Sequence, residues 1–322
     1  MTETLLSPLS QSRFRGCLLG LAVGDAIGTS VEFMPPGSFT PLTDMVGGGP
    51  FNLAPGEWTD DTSMALCLAD SLIEMGGFDP IDQLERYVRW YRSGYLSSNG
   101  RCFDIGIATC ASLHRFESTH EPYPGSTAPN TAGNGSLMRL APVPMFYARH
   151  PQVALDKCAD SSSTTHANPK AVDACRYFGA ILLGALHGQP KETFLSPIEQ
   201  WQFLDSKTLV QLSDLAPDIV EVTNGSFKQK QPPDIQGSGY VVRGMEAALW
   251  AFYHSNSFRE GVLMAANLGD DADTTGAIYG QLAGAYYGEE GIPAEWREKL
   301  ALVEVIIGFA DKLWASAHQL TL

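Results

Sequence analysis

Apolar side chains recur along this chain every three or four residues, the spacing that lines one face of an α-helix. Ile81, Leu84, Tyr87, Val88 and Tyr91 form one such stripe, and Val172, Cys175, Phe178, Ile181, Leu182 and Ala185 form another. Val241, Val242, Met245, Ala248, Leu249 and Phe252 repeat the pattern. The last stripe runs from Trp296 through Leu300, Val303, Ile306, Ile307, Ala310 and Leu313 to Trp314. Alternation with period two, the mark of a half-buried strand, is scarce; Ile219–Val222 is the one modest candidate. No segment reads as a βαβ unit. The pattern predicts an all-α chain of roughly a dozen helices. They form a single compact domain over residues 12–318.

Two segments combine this spacing with glycine. Gly16, Gly20, Gly24 and Gly28 recur every fourth residue near the start, and Gly276, Gly280, Gly284 and Gly288 do so near the end. Glycine inside a helix costs about 1 kcal/mol relative to alanine, so these positions need a reason. Each set lies along one helix face and admits a close neighbour. Tight packing is the plain explanation; the sharper one is that the helices are pressed together so that their ends share a site. Two stretches, Glu117–Gly135 and Asp214–Gly239, are rich in Pro and Gly and read as long loops. Such loops are either functional or simple solvated connectors.

Composition narrows the class. Of 322 residues, 44% are hydrophobic, enough for a sizeable core, and 36 acidic against 21 basic residues leave a net charge of −15. This excludes a disordered chain and a nucleic-acid binder that works through bulk positive charge. An acidic ligand would have to be held by helix N-termini or bound cations. The six cysteines show no C-x-x-C spacing, and most sit in apolar runs, as expected of reduced thiols. Met1–Gln11 lacks the order of a signal peptide, and the apolar stretch Cys17–Val23 is cut by Asp25, too short to span a bilayer. A cytoplasmic protein is expected. The acidic surface and the lack of a spare apolar stripe predict a monomer.

Chemistry concentrates in two acidic clusters, each at a helix start. Glu57-Trp58-Thr59-Asp60-Asp61-Thr62-Ser63 precedes the apolar run Met64–Ala69, and Asn267-Leu268-Gly269-Asp270-Asp271-Ala272-Asp273-Thr274-Thr275 precedes the late glycine-spaced helix. Helix capping explains one acid, but not two adjacent and then three in four. Carboxylates and threonine hydroxyls without Cys or His form an oxygen-only donor set, suited to Mg²⁺ or Mn²⁺ and poor for zinc. Asp271 and Asp273 would diverge on a regular helix, so convergence on one ion requires a non-helical stretch, with the helix starting near Thr274. Together the clusters offer room for two metals. Glu32 and Asp104 are single acids with apolar neighbours, suited either to a helix end or to acid/base work. Arg139 is a candidate phosphate or carboxylate partner, and His166 is either structural or ligand-facing. No P-loop, Ser-His-Asp triad or nucleophile elbow is present.

These segments carry a resemblance. GCLLGLAVGDAIGTSVEF at 16–33, GEWTDDTSMAL at 56–66, FDIG at 103–106, GNGSLMR at 133–139, THANP at 165–169, GSGYVV at 237–242 and NLGDDADTTGAIYGQLAGAYYG at 267–288 follow one another in the order of the ADP-ribosylglycohydrolases. The chain resembles this family over almost its whole length, and is similar to members acting on the ADP-ribosylated arginine of dinitrogenase reductase. TDDT with a late D-x-D-T is the specific part. The resemblance implies an orthogonal multi-helix fold around a dinuclear Mg²⁺ or Mn²⁺ centre. By motif position, Thr59, Asp60, Asp61, Asp271, Asp273 and Thr274 would be metal ligands, Glu32 would serve either metal-site organisation or acid/base chemistry, and Asp104 would lie near the scissile bond. Asn134, Gly135, Ser136, His166 and Tyr240 would contact ADP-ribose. One departure is Asp270, where the family has glycine; it is left outside the ligand set.

The expected activity is metal-dependent hydrolysis of an N-glycosidic bond, with release of ADP-ribose from an acceptor. Protein arginine ranks first among acceptors. A silent binding or crystallin-like structural protein on the same scaffold is the alternative, and a metal-dependent phosphohydrolase a third. The intact acidic set favours the hydrolase.

Overall fold

A computed structural model describes residues 8–321. Helices α1 (Gln11–Gly28), α2 (Asp60–Met75), α3 (Pro80–Ser93) and α4 (Ile107–Thr119) build the first third of the chain. Helices α5 (Pro142–Phe146), α6 (Pro151–Ser163) and α7 (Pro169–Leu186) follow, then the short α8 (Lys191–Phe194), α9 (Ser206–Val210) and α10 (Pro217–Thr223). The last third holds α11 (Val241–His254), α12 (Phe258–Ala266), α13 (Ala272–Tyr287), α14 (Ala294–Arg297) and α15 (Val303–Gln319). Among the described residues there are isolated bridges but no strands, and the helices share one continuous apolar core.

Local chemistry sets several boundaries. Asp79 accepts the Ile81 and Asp82 N–H groups and Pro80 opens α3, while Gly94 closes it at φ 70°. Asn168 and Pro169 start α7 in the same way. Ile219–Val222, the modest candidate for strand-like alternation, is helical, in keeping with the all-α expectation. It follows Pro217 in α10, and its two buried residues, Ile219 and Val222, are three apart and lie on one helix face. The two long loops are also shorter than expected. Helix α4 continues to Thr119, and α10 with a single 3₁₀ turn at Ser226–Lys228 occupies part of the second.

The core of the fold is the antiparallel pair α1 and α13, the most extensive helix contact in the molecule. Gly16 faces Gly284, Gly20 faces Gly280, Gly24 faces Gly276, and Gly28 faces Ala272. A Cβ on Gly24 would lie 2.0 Å from the Gly276 carbonyl oxygen, and one on Gly20 would lie 2.2 Å from that of Gly280. The spacing is a backbone-to-backbone contact that no side chain fits. Asp25 does not interrupt α1. With the 3₁₀ turn Thr29–Val31, this helix is long and apolar enough to cross a membrane, yet 89% of the stretch is buried inside the protein. The register sets the end of α1 against the start of α13. Both acidic clusters and Glu32 meet there.

Candidate active site

Asp25, fully buried on α1, organises the first cluster. Its Oδ1 accepts the Thr59 N–H at 2.8 Å and the Thr59 hydroxyl at 2.9 Å; its Oδ2 accepts the Thr62 N–H at 3.0 Å and hydroxyl at 2.6 Å. Thr59 makes no cap bond of its own, so α2 is capped by a carboxylate from another helix. Sequence reasoning passed over Asp25 as a site residue. Its only signal was one charge inside an apolar run.

Capped this way, α2 presents Asp61 from its first turn toward Asp273 of α13, and Asp60 toward the cleft. The Thr59 hydroxyl lies 3.1 Å from Asp61 Oδ2 and 3.3 Å from Asp273 Oδ2, besides its bond to Asp25. One hydroxyl hydrogen cannot serve three carboxylates. Oxygens of Asp25, Asp61 and Asp273 lie within 4.8 Å of one another, and so do those of Glu32, Asp104 and Asp273. Asp273 therefore belongs to both groups. Helix α13 starts at Ala272, earlier than the expected Thr274, with Asp271 as its N-cap residue. Asp271 turns to the cleft just outside the helix and accepts the Asn134 side-chain N–H at 2.5 Å.

Burial dominates the electrostatics. Asp60, Asp61 and Asp273 are pushed well above the ordinary carboxylate range, first by desolvation and then by neighbouring carboxylates. Glu32 is raised to about 9 by burial and by Asp104, Asp271 and Asp25. Asp104 rises to about 7 for the same first cause. Asp25, held down by its four hydrogen bonds, rises only to about 6. No basic side chain figures among the causes of these shifts. Asp61 Oδ1 and Asp273 Oδ1 are buried without any hydrogen-bond partner. Buried, unpaired carboxylate oxygens facing one another, with no Cys or His between them, fit hard divalent cations.

Above this floor opens a cleft of about 430 Å³. Of the expected residues, Glu32, Asp60, Asp104, Asp271, Asp273 and Thr274 line it on the acidic side, and Asn134, Gly135 and His166 on the other. Thr59 and Asp61 lie outside that lining and are fully buried. Asp104 holds φ at 58°, an uncommon posture for a non-glycine residue. Gly106 precedes α4 without a side-chain acceptor for its first N–H groups, and Ile107, Ala108 and Thr109 of its first turn line the cleft. Gly135 packs against the His166 ring, where a Cβ would come within 2.8 Å.

His166 is buried, and desolvation lowers it to about 3, so it is neutral. Arg139 donates to the Thr165 hydroxyl oxygen at 2.7 Å, and that hydroxyl pairs with His166 Nδ1 at 2.8 Å. With the hydroxyl hydrogen on Nδ1, the neutral ring would carry its own proton on Nε2, beside Gly133 and Gly135. Arg139 itself is fully buried, stacked 4.5 Å from the Tyr87 ring centroid. It supports His166 from behind and cannot be the direct phosphate or carboxylate partner expected of it. Ser136 points into the core, bonded to Ser162 at 2.8 Å. The Tyr240 hydroxyl bonds Asp218 at 2.6 Å and Lys170 at 3.0 Å. Neither side chain is in the cleft lining. Asp270 is exposed, and its backbone, at φ 52°, pairs with Phe33 and Met34.

The profile of the ADP-ribosylglycohydrolases matches residues 6–321. An ADP-ribosylarginine hydrolase Tri1 of Pseudomonas putida (strain GB-1) is 45% identical over 98% of this chain and 81% of its own length. The ADP-ribosyl-(dinitrogen reductase) glycohydrolase of Rhodospirillum rubrum is 31% identical over 92% of each chain. A solved structure described as an ADP-ribosylglycohydrolase-related protein complex superposes with a TM-score of 0.83 at 43% identity, covering 95% of this chain and 98% of that one.

Proposed function

The chain belongs to the ADP-ribosylglycohydrolase family, and on that premise we propose that it hydrolyses the N-glycosidic bond joining ADP-ribose to arginine on a protein. The reading rests above all on the convergence of Asp25, Glu32, Asp61, Asp104 and Asp273, from distant parts of the sequence, into one buried oxygen cage. We assign Thr59, Asp60, Asp61, Asp271, Asp273 and Thr274 to two divalent cations, Mg²⁺ or Mn²⁺, with Asp25 holding Thr59 in place. Cations bound there would neutralise the cage and supply Lewis acidity to ribose hydroxyls or water.

The side chains divide the remaining work. The first turn of α4 and the protonated Nε2 of His166 offer donors to the pyrophosphate, which a chain of net charge −15 does not attract as a whole. Gly135 leaves room for the His166 ring beside it. Cleavage passes through an oxocarbenium-like state, stabilised by the carboxylates around the anomeric carbon. Water adds to that carbon, and the guanidine leaves with a proton. Glu32 and Asp104 carry the proton transfer, because both carboxylates line the cleft and group with Asp273 at the edge of the cage. The reading includes a monomer, and a reducing, cytoplasmic compartment in which six unpaired cysteines would stay reduced.

The test is incubation with ADP-ribosylarginine protein, with Mg²⁺, Mn²⁺ or chelator. Free ADP-ribose should appear with either cation and not with chelator. Release of inorganic phosphate in its place would make the protein a phosphohydrolase.

A further inference from the structure

Asp104 stands on a divide. Residues after it, Ile105 through Thr109, line the main cleft, whereas Asn99 and Arg101 through Phe103 line a second depression of about 220 Å³, together with Phe51 and Leu53. Aromatic rings link the two. Phe33, beside Glu32 and 63% exposed at the cleft, meets Phe51 edge-on at 6.5 Å between centroids, and Phe51 meets Phe103 at 5.2 Å. An exposed ring beside a polar, acidic site is not accounted for by core packing, and apolar surface of this kind marks a contact surface. The ladder is attached by sequence adjacency to the two acids given the proton transfer, Glu32 and Asp104. The pyrophosphate donors, the α4 N-terminus and His166, lie along the cleft on the other side of Asp104 in the chain. A leaving group that departs past Phe33, which lines the cleft, meets this ladder of rings.

We propose that the Phe51–Leu53–Phe103 depression is the acceptor subsite, taking an apolar residue that flanks the modified arginine in a polypeptide. This rests on the hydrolase reading and adds to it that the residue beside the modified arginine is recognised, with apolar neighbours preferred. Phe33 receives the aliphatic stem and planar guanidinium of that arginine, an arrangement favourable for an aromatic face. The neighbouring residue then reaches Phe51 and Phe103. Arg101 and Asn99 at the edge supply donors to the carbonyls of the peptide, for Arg101 is exposed and has no ion pair among the described residues. Free ADP-ribosylarginine fills the cleft and leaves the depression unused.

Initial rates of the Mn²⁺-loaded protein should be compared on free ADP-ribosylarginine and on ADP-ribosylated peptides with Leu or Glu beside the arginine. Phe51→Ala should raise KM for the Leu peptide by about tenfold, the scale of a buried aromatic contact. Its kcat and its turnover of free ADP-ribosylarginine should stay near the parent values, and Phe51→Trp should retain the Leu preference. Equal losses on free and peptide substrates, or no loss on either, would overturn the subsite while leaving the hydrolase intact. Failure of the unaltered protein to cleave any of them would overturn both.

Discussion

Asp61 Oδ1 and Asp273 Oδ1 are buried acceptors with no donor among the described residues. An unpaired buried charge destabilises a fold, so Asp61→Asn should raise the stability of the chelated protein by about 2 kcal/mol. The same change should abolish the rise in Tm on adding Mn²⁺; thermal melts with and without chelator check both. Linkage gives a pH signature. These carboxyls have folded values above their ordinary ones, so their contribution is complete below about pH 4. It is lost as pH rises through about 6 at Asp25, 7 at Asp104 and 9 at Glu32. The chelated protein should therefore melt lower at pH 9 than at pH 5, and saturating Mn²⁺ should remove most of the difference. His166 makes a further case. Thr165→Val removes the hydroxyl that holds Nδ1 as an acceptor, and should weaken ADP-ribose binding about tenfold, the scale of one lost hydrogen bond. Imidazole nitrogen shifts should show the neutral ring changing tautomer. The acids were legible because they cluster before apolar runs. Asp25 and the burial of Arg139 were not, because each depends on partners from other helices, Thr59 and Thr62 for one and Tyr87 and Thr165 for the other.

At the scale of elements, the pair α1 and α13 joins fold to site. Gly20→Ala would drive a methyl to 2.2 Å from the Gly280 carbonyl oxygen, so the helices must separate. We expect a loss of about 3 kcal/mol or failure to fold, since overpacking of this kind is not absorbed by rotamer changes. Gly308→Ala is the control. It lies within α15 with nothing within 4 Å of the added Cβ, and should stabilise by about 0.5–1 kcal/mol through helix propensity alone. Denaturant melts of the two variants separate packing from propensity. The fourfold glycine spacing was readable as close packing. Which helix met which was a matter of long-range register, and only the register brings Ala272 and Asp273 to Gly28. The Ile219–Val222 segment misled because a helix with two buried positions and a short two-periodic strand look alike over four residues. Pro217 was the signal for the helix, as a residue favoured in a first turn.

For the molecule as a whole, charge sets a tension between ligand and protein. A chain with net charge −15 repels an anionic pyrophosphate at long range. The features that attract it, the α4 N-terminus, His166 and cations in the cage, act only within the cleft. Screening weakens the long-range part first, since the Debye length falls to about 10 Å at 0.1 M salt, while charges in a buried site are screened much less. Raising NaCl from low to moderate concentration at saturating Mn²⁺ should therefore increase kcat/KM for ADP-ribosylarginine by about twofold to threefold, the reverse of electrostatic steering. The increase should lie in KM, with kcat unchanged, because the chemistry takes place below the screened surface. Sucrose at matched osmolality should have no such effect. A fall in kcat/KM with salt would instead mean that exposed basic residues such as Arg101 dominate the approach, and that the charge at the cleft mouth outweighs the charge of the whole chain.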